Sequence, residues 1–176
     1  MKKIFSIVAV IGLFLVISNA NATNVAVIDI EKIVENSIAM KNVNKKLTNS
    51  KNLMQKELQK EEGVLNAKRD DIASKSSILS KQALEGKMLG FQKDVITFQK
   101  KVKSEEEKLQ KAYMGAVGEI TDEIKIIVEE MKDEKEYSFD VAIASSVAIY
   151  SSNDIDISAV VLKRLNKKVK IIALSI

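Results

Sequence analysis

The sequence predicts an α+β protein: a long antiparallel helical hairpin, forming a coiled-coil arm, attached to a small β body shared between subunits. Three observations point there. Apolar residues recur at heptad spacing through roughly ninety residues dense in Lys, Glu and Gln. A serine-rich stretch, SKSSILS at 74–80, divides that region in two. Short runs of β-branched residues stand at both ends of it, VAVIDI at 25–30 and YSFDVAIASSVAIYSS at 137–152, where Asp140 is the only charge.

The chain opens on a leader, residues 1–22. Lys2 and Lys3 precede an apolar run from Ile4 to Ile17, and Ala20-Asn21-Ala22 has the small-x-small form of a cleavage site. The run is too short to span a bilayer comfortably. A cleaved signal peptide and export, most simply to a bacterial periplasm, are expected. No Cys comes after the site, so lipidation there is not indicated.

Val25 to Ile30 is almost wholly apolar and reads as a buried strand. From Glu31 the period changes. Met40, Leu47 and Met54 fall seven apart, and Leu58, Leu65, Ile72 and Leu79 do so displaced by four. Together they occupy d and a of one heptad frame, although Ser37, Asn44, Lys51, Glu61, Lys68 and Lys75 interrupt it. One helix from about Glu31 to about Ala73 is predicted. The serines of 74–80 favour local side-chain-to-backbone bonds over helix, and Ser80 is placed to cap a second helix.

That second helix, about Lys81 to Lys135, has a cleaner seam. Leu84, Met88, Phe91, Val95, Phe98 and Val102 alternate steps of four and three, and so do Tyr113, Val117, Ile120, Ile124, Ile127 and Met131. Leu109 continues the first frame before a stutter-like shift. Gly86, Gly90, Gly115 and Gly118 invite fraying or bending. The seam reads as hairpin core. The hairpin brings Val25 and Val141 to the same end, with the tip near 74–80. The arm is then 35–136, and the body is 23–34 with 137–166.

In the body, Phe139, Val141 and Ile143 alternate with Asp140, Ala142 and Ala144. Ser145-Ser146 is placed to turn the chain into a further strand holding Val147, Ile149 and Tyr150. Asp154, Asp156 or Ser158 caps a final short helix burying Val160, Val161, Leu162 and Leu165. Three short strands with one helix make a poor core. The chain has no Cys, so disulfides cannot stabilise it. Several copies sharing one body is the remedy expected. Its residues would be Val25, Val27, Ile28, Ile30, Phe139, Val141, Ile143, Val147, Ile149 and Tyr150.

Composition argues against an enzyme. Without His or Cys there is no ordinary zinc site and no Ser-His or Cys-His nucleophile. No catalytic residue, metal or cofactor is expected. Asp154 with Asp156, and Asp29 beside its strand, read as caps or structural groups. The absence of Pro suits long unbroken helices. The net charge of +4 hides a pattern. Residues 41–103 carry 15 Lys/Arg against 7 Asp/Glu, whereas residues 104–140 carry 5 Lys against 12.

The leader, VAVIDIEKIVENS, the charged helical hairpin, FDVAIASSVAIYSSNDIDIS and the terminal helix together resemble the Skp/OmpH-like periplasmic chaperone family. Asp29 after a V-x-V strand, Tyr150 closing a strand pair and Asp156-Ile157-Ser158 opening the last helix carry the resemblance, which covers nearly all of 24–166. The tail from Lys167, KKVKIIALSI, runs past the usual end. The resemblance implies a homotrimer with a central β body. Three helical arms would surround a cavity that holds unfolded outer-membrane β-barrel proteins without ATP.

Such clients are commonly acidic, and a basic distal arm would steer them in. Lys45, Lys46, Lys56, Lys60, Lys68, Arg69, Lys75, Lys81 and Lys87 are the candidates for that field. Acidic lipid or lipopolysaccharide headgroups are a secondary partner for clustered Lys. Nucleic acid is not expected, since the chain is exported and exposes few aromatics for stacking. The competing reading is a non-enzymatic coiled-coil adaptor of the cell envelope.

Overall fold

A computed structural model describes residues 23–174. The leader, 1–22, lies outside the described residues. In chain order the elements are β1 (Val25–Ile28), α1 (Ile30–Asn36), α2 (Ile38–Lys75), α3 (Lys81–Lys132), β2 (Val141–Ala144) and α4 (Ser158–Lys168). Short 3-10 turns lie at Ser145–Val147 and Asn153–Ile155.

β1 and β2 pair in parallel, with Val25 opposite Val141 and Ile28 opposite Ala144. Parallel pairing needs a long crossover, and the arm is that crossover. Asn24 N–H donates to Asp140 Oδ2 at 2.9 Å and fixes the start of the pair. β1 is shorter than VAVIDI suggests. The Asp29 carboxylate accepts the Lys32 N–H at 2.9 Å and caps α1, so Ile30 begins a helix rather than ending a strand.

The predicted first helix is in fact two. Asn36-Ser37 breaks it, and Ser37 is extended at φ −64°, ψ 146°. Its hydroxyl donates to Val34 O at 2.8 Å and accepts from Met40 N–H at 3.0 Å, closing one helix and opening the next. Beyond the break α2 runs unbroken for 38 residues and α3 for 52, or about 57 and 78 Å at the usual rise. The glycines of α3 do not interrupt it. Ser80 Oγ accepts from Ala83 N–H at 3.2 Å and caps α3.

The predicted return strand at 147–150 does not form. The 3-10 turn at Ser145–Val147 carries the chain away from β2. It comes back on the other side of β1, where Asp156 bridges Val27 and Ile157 N–H donates to Val27 O at 3.0 Å. Val147, Ile149 and Tyr150 are left outward, 73%, 106% and 85% exposed. Their alternation has no partner within one chain. Asp156 Oδ1 accepts the Ser158 N–H at 2.8 Å, and Val161 and Leu165 are the fully buried residues of α4.

The core lies where the arm meets the body. Ile33, Met40, Val43, Ile120, Ile124, Ile127, Met131, Val161 and Leu165 belong to one cluster. Each is 2% exposed or less, worth about 1.5–3 kcal/mol for each large side chain. The feet of the arm and the body therefore share one interior. The apolar tail, for which the sequence leaves strand or disorder open, adds Ile172 to the same cluster.

Candidate functional site

The arm changes character along its length. At its foot, α3 packs against α1, α2 and α4, and Ile120, Ile124, Ile127 and Met131 are fully buried. Beyond Val43 on α2, and from the start of α3 to Lys111, no side chain is buried. There α2 and α3 pair alone, and two helices cover only one side of each apolar stripe. Seam residues such as Leu65, Ile72, Leu84, Phe91, Val95 and Phe98 remain half-buried. The seam is thus fully buried at the foot and half-buried distally.

Near the tip the open seam widens into a groove of about 890 Å³. Ile72, Leu84, Met88, Leu89, Phe91 and Val95 form its apolar lining, with Arg69 and Glu85 at its margin. Met88 and Leu89 are 56% and 59% exposed, and Ile78 in the tip turn is 80% exposed. A smaller hollow of about 350 Å³ lies closer to the body, around Val64, Leu65 and Phe98.

Exposed ion pairs span the two antiparallel helices. Lys101 meets Glu61, Lys68 meets Asp94, and Lys87 Nζ lies 3.5 Å from Asp71. The hydrogen bond from Lys75, helped by Lys87, holds the Asp71 carboxyl below its ordinary value, and Glu61 raises Lys101.

These pairs divide the nine candidate cations. Lys68, Lys75 and Lys87 meet carboxylates of the arm, and Arg69 lies 3.1 Å from neighbouring Asp70. Lys45, Lys46, Lys56, Lys60 and Lys81 have no ion-pair partner among the described residues. At helical spacing Lys45, Lys46, Lys56 and Lys60 fall within an arc of about 100° on α2, opposite its seam. Leu53 and Val64 are exposed on that same arc, at 63% and 68%.

The arrangement offers unsatisfied apolar surface in a long open seam, with free ammonium groups along one outer face. Sequence reasoning placed the cations and missed the groove. One signal was present: Leu89 lies off the heptad stripe of α3, yet it lines the groove.

No curated protein matches this chain. Among solved structures, an OmpH-like protein of Caulobacter crescentus shares the fold, with TM-score 0.78 and 16% identity over 88% of this chain and 90% of that one. The sequence pattern of the OmpH-like outer membrane proteins matches residues 24–165, strand to terminal helix, and the chain belongs to that family.

Proposed function

We propose that this chain is an ATP-independent holdase chaperone of the periplasm. On this reading it captures unfolded outer-membrane β-barrel proteins along its arms and keeps them from aggregating. The observation that carries the reading is the distal seam, apolar and half-open over most of the arm's length. Unfolded barrel proteins present alternating apolar and polar residues and unpaired strand edges. A long apolar groove offers many weak contacts to such a chain without demanding one sequence. The unpaired lysines supply longer-range attraction for acidic clients and are screened by salt. Membership of the OmpH-like family, and the fold shared with a protein named for the same group of outer membrane chaperones, support this role.

The chaperone works as a homotrimer with a pooled β body. A two-stranded sheet is marginal alone, and Val25, Val141, Val147, Ile149 and Tyr150 stand exposed around it. The leader is cleaved after Ala22.

The test is dilution of a urea-unfolded outer-membrane barrel protein into buffer containing residues 23–176, without ATP, with light scattering as the readout. Suppression near one trimer per client is expected. Unchanged scattering, with the chaperone shown folded and helical, would exclude the holdase and leave the envelope adaptor.

A further inference from the structure

The family's pattern ends at residue 165, and the chain continues in described structure to Leu174. The residues past α4 are not loose. Ile172 is 4% exposed within the core cluster, and Val169 and Leu174 pack against it.

Together with the last turn of α4, they touch the foot of the arm. α2 starts afresh after the break at Ser37, so its first N–H groups have no partner within the helix. The Ile38 N–H is taken by Asn166 Oδ1 at 2.7 Å. One turn on, Asn42 Nδ2 donates to Lys170 O at 2.8 Å. Met40 and Val43, from the same turn of α2, share the core cluster with Ile172. The other foot is held too. Lys168 Nζ lies 2.9 Å from Glu130 Oε1 and 2.9 Å from Glu123 Oε1 on α3. The Glu130 contact is a hydrogen bond; the Glu123 contact is an ion pair by distance alone, and that oxygen has no hydrogen-bond donor.

We propose that residues 166–174 are a strap that fixes the angle between arm and body at the Ser37 break. A continuous helix would resist bending through its own backbone ladder. Here the ladder is interrupted: Ser37 N–H reaches Ile33 O at 3.0 Å and Lys41 N–H reaches Ser37 O at 3.1 Å, but among the described residues no backbone hydrogen bond joins α1 directly to α2. The strap replaces that stiffness with Asn166, Asn42 and the seated Ile172 on one foot, and with Lys168 on the other. Its polar contacts are solvent-exposed, so it holds the angle by many weak interactions and is able to let go. Seated, it narrows the arm to one orientation; released, it leaves the angle to the α3 core alone, and the range of arm orientations widens.

The natural chain has no Cys, so paired spin labels are readily placed. Gln59→Cys on α2 and Asn153→Cys on the body, both exposed, are labelled in the mature chain. Excess unlabelled chain dilutes them so that distances arise within one subunit. Distance distributions by pulsed electron resonance are then compared for the full mature chain, a chain ending at Lys168, and an Asn42→Ala/Asn166→Ala chain. The full chain should give a single narrow distribution. Both variants should give a shifted and broader one, with circular dichroism unchanged. A variant that keeps its helicity and reproduces the narrow distribution overturns the strap. If the shortened chain loses helicity, the Asn42→Ala/Asn166→Ala chain, which leaves the apolar seat of Ile172 intact, decides alone.

Discussion

Burial separates residues that the heptad frame treats alike. Ile124 and Leu65 both occupy seam positions, yet Ile124 is 1% exposed inside a multi-helix core and Leu65 is only half-buried. Ile124→Ala should cost about 3 kcal/mol in denaturant unfolding, through lost transfer energy and a cavity. Leu65→Ala should cost about 1 kcal/mol, because water already reaches that site. Ser37 is a second case. Its hydroxyl serves two helices at once, and Ser37→Ala should cost about 1 kcal/mol. The heptad frame puts Ser37 at an a position and hides the break, since its neighbours on both sides keep the helical period.

Charge at the body has a pH signature. Arg164 donates to both Glu134 oxygens, at 2.5 and 2.8 Å, and lies 5.3 Å above the Tyr137 ring. The hydrogen bond from Arg164 holds the Glu134 carboxyl below its ordinary value of 4.5. A carboxyl lowered on folding adds stability above its unfolded value, and that stability is lost as pH falls through the lower folded value. The melting temperature of the protein should therefore drop between pH 5 and pH 3. Glu134→Gln should melt lower at pH 7 and show a smaller drop over the same interval. An equal drop in both chains would assign the acid sensitivity elsewhere.

Elements were legible where a pattern is long. The hairpin is encoded in heptad seams on both helices and a serine break, whereas the parallel direction of the sheet was not read from the sequence. An outgoing and a returning helix bring the chain back to the body, and the segment after α3 carries it on to the start of β1, where Asp140 N–H and Val141 N–H donate to Asn24 O and set Val25 opposite Val141. Short elements were less legible. Val147, Ile149 and Tyr150 alternate as a strand does, but alternation encodes burial against a partner. Within one chain the Ser145–Val147 turn leads away from the free edge of β2. The groove was hidden because a heptad records which residues face a seam and not how many helices close it.

The glycines carry a prediction at the same scale. A Cβ at Gly63, Gly86 or Gly90 would meet nothing within 4 Å, and none of the three has positive φ. Glycine costs up to about 1 kcal/mol relative to alanine in a helix interior. Gly63→Ala/Gly86→Ala/Gly90→Ala should therefore stabilise the arm by about 2 kcal/mol in denaturant unfolding, with no repacking. If flexible arms serve clients of different size, the same chain should suppress aggregation over a narrower range of client lengths.

For the whole molecule, charge and apolar surface are arranged along one axis. The foot of α3 is acidic and buried on its inner side; the distal arm is basic on one face and apolar along its seam. Lys45→Glu/Lys46→Glu/Lys56→Glu/Lys60→Glu should slow client capture at low salt, and the difference from wild type should shrink as salt rises and screens both chains. Equal capture rates at low salt would reduce these lysines to a solvated face.

On the function proposed, the open distal seam holds the client. A photo-crosslinking residue at Leu89, in the groove, and another at Lys163, exposed on α4, would be loaded with the same unfolded barrel protein and irradiated. Crosslinks from Leu89 and few from Lys163 are predicted. Crosslinks from Lys163 with none from Leu89, in a chain that still suppresses aggregation, would place the client on the body and exclude the distal seam as its seat.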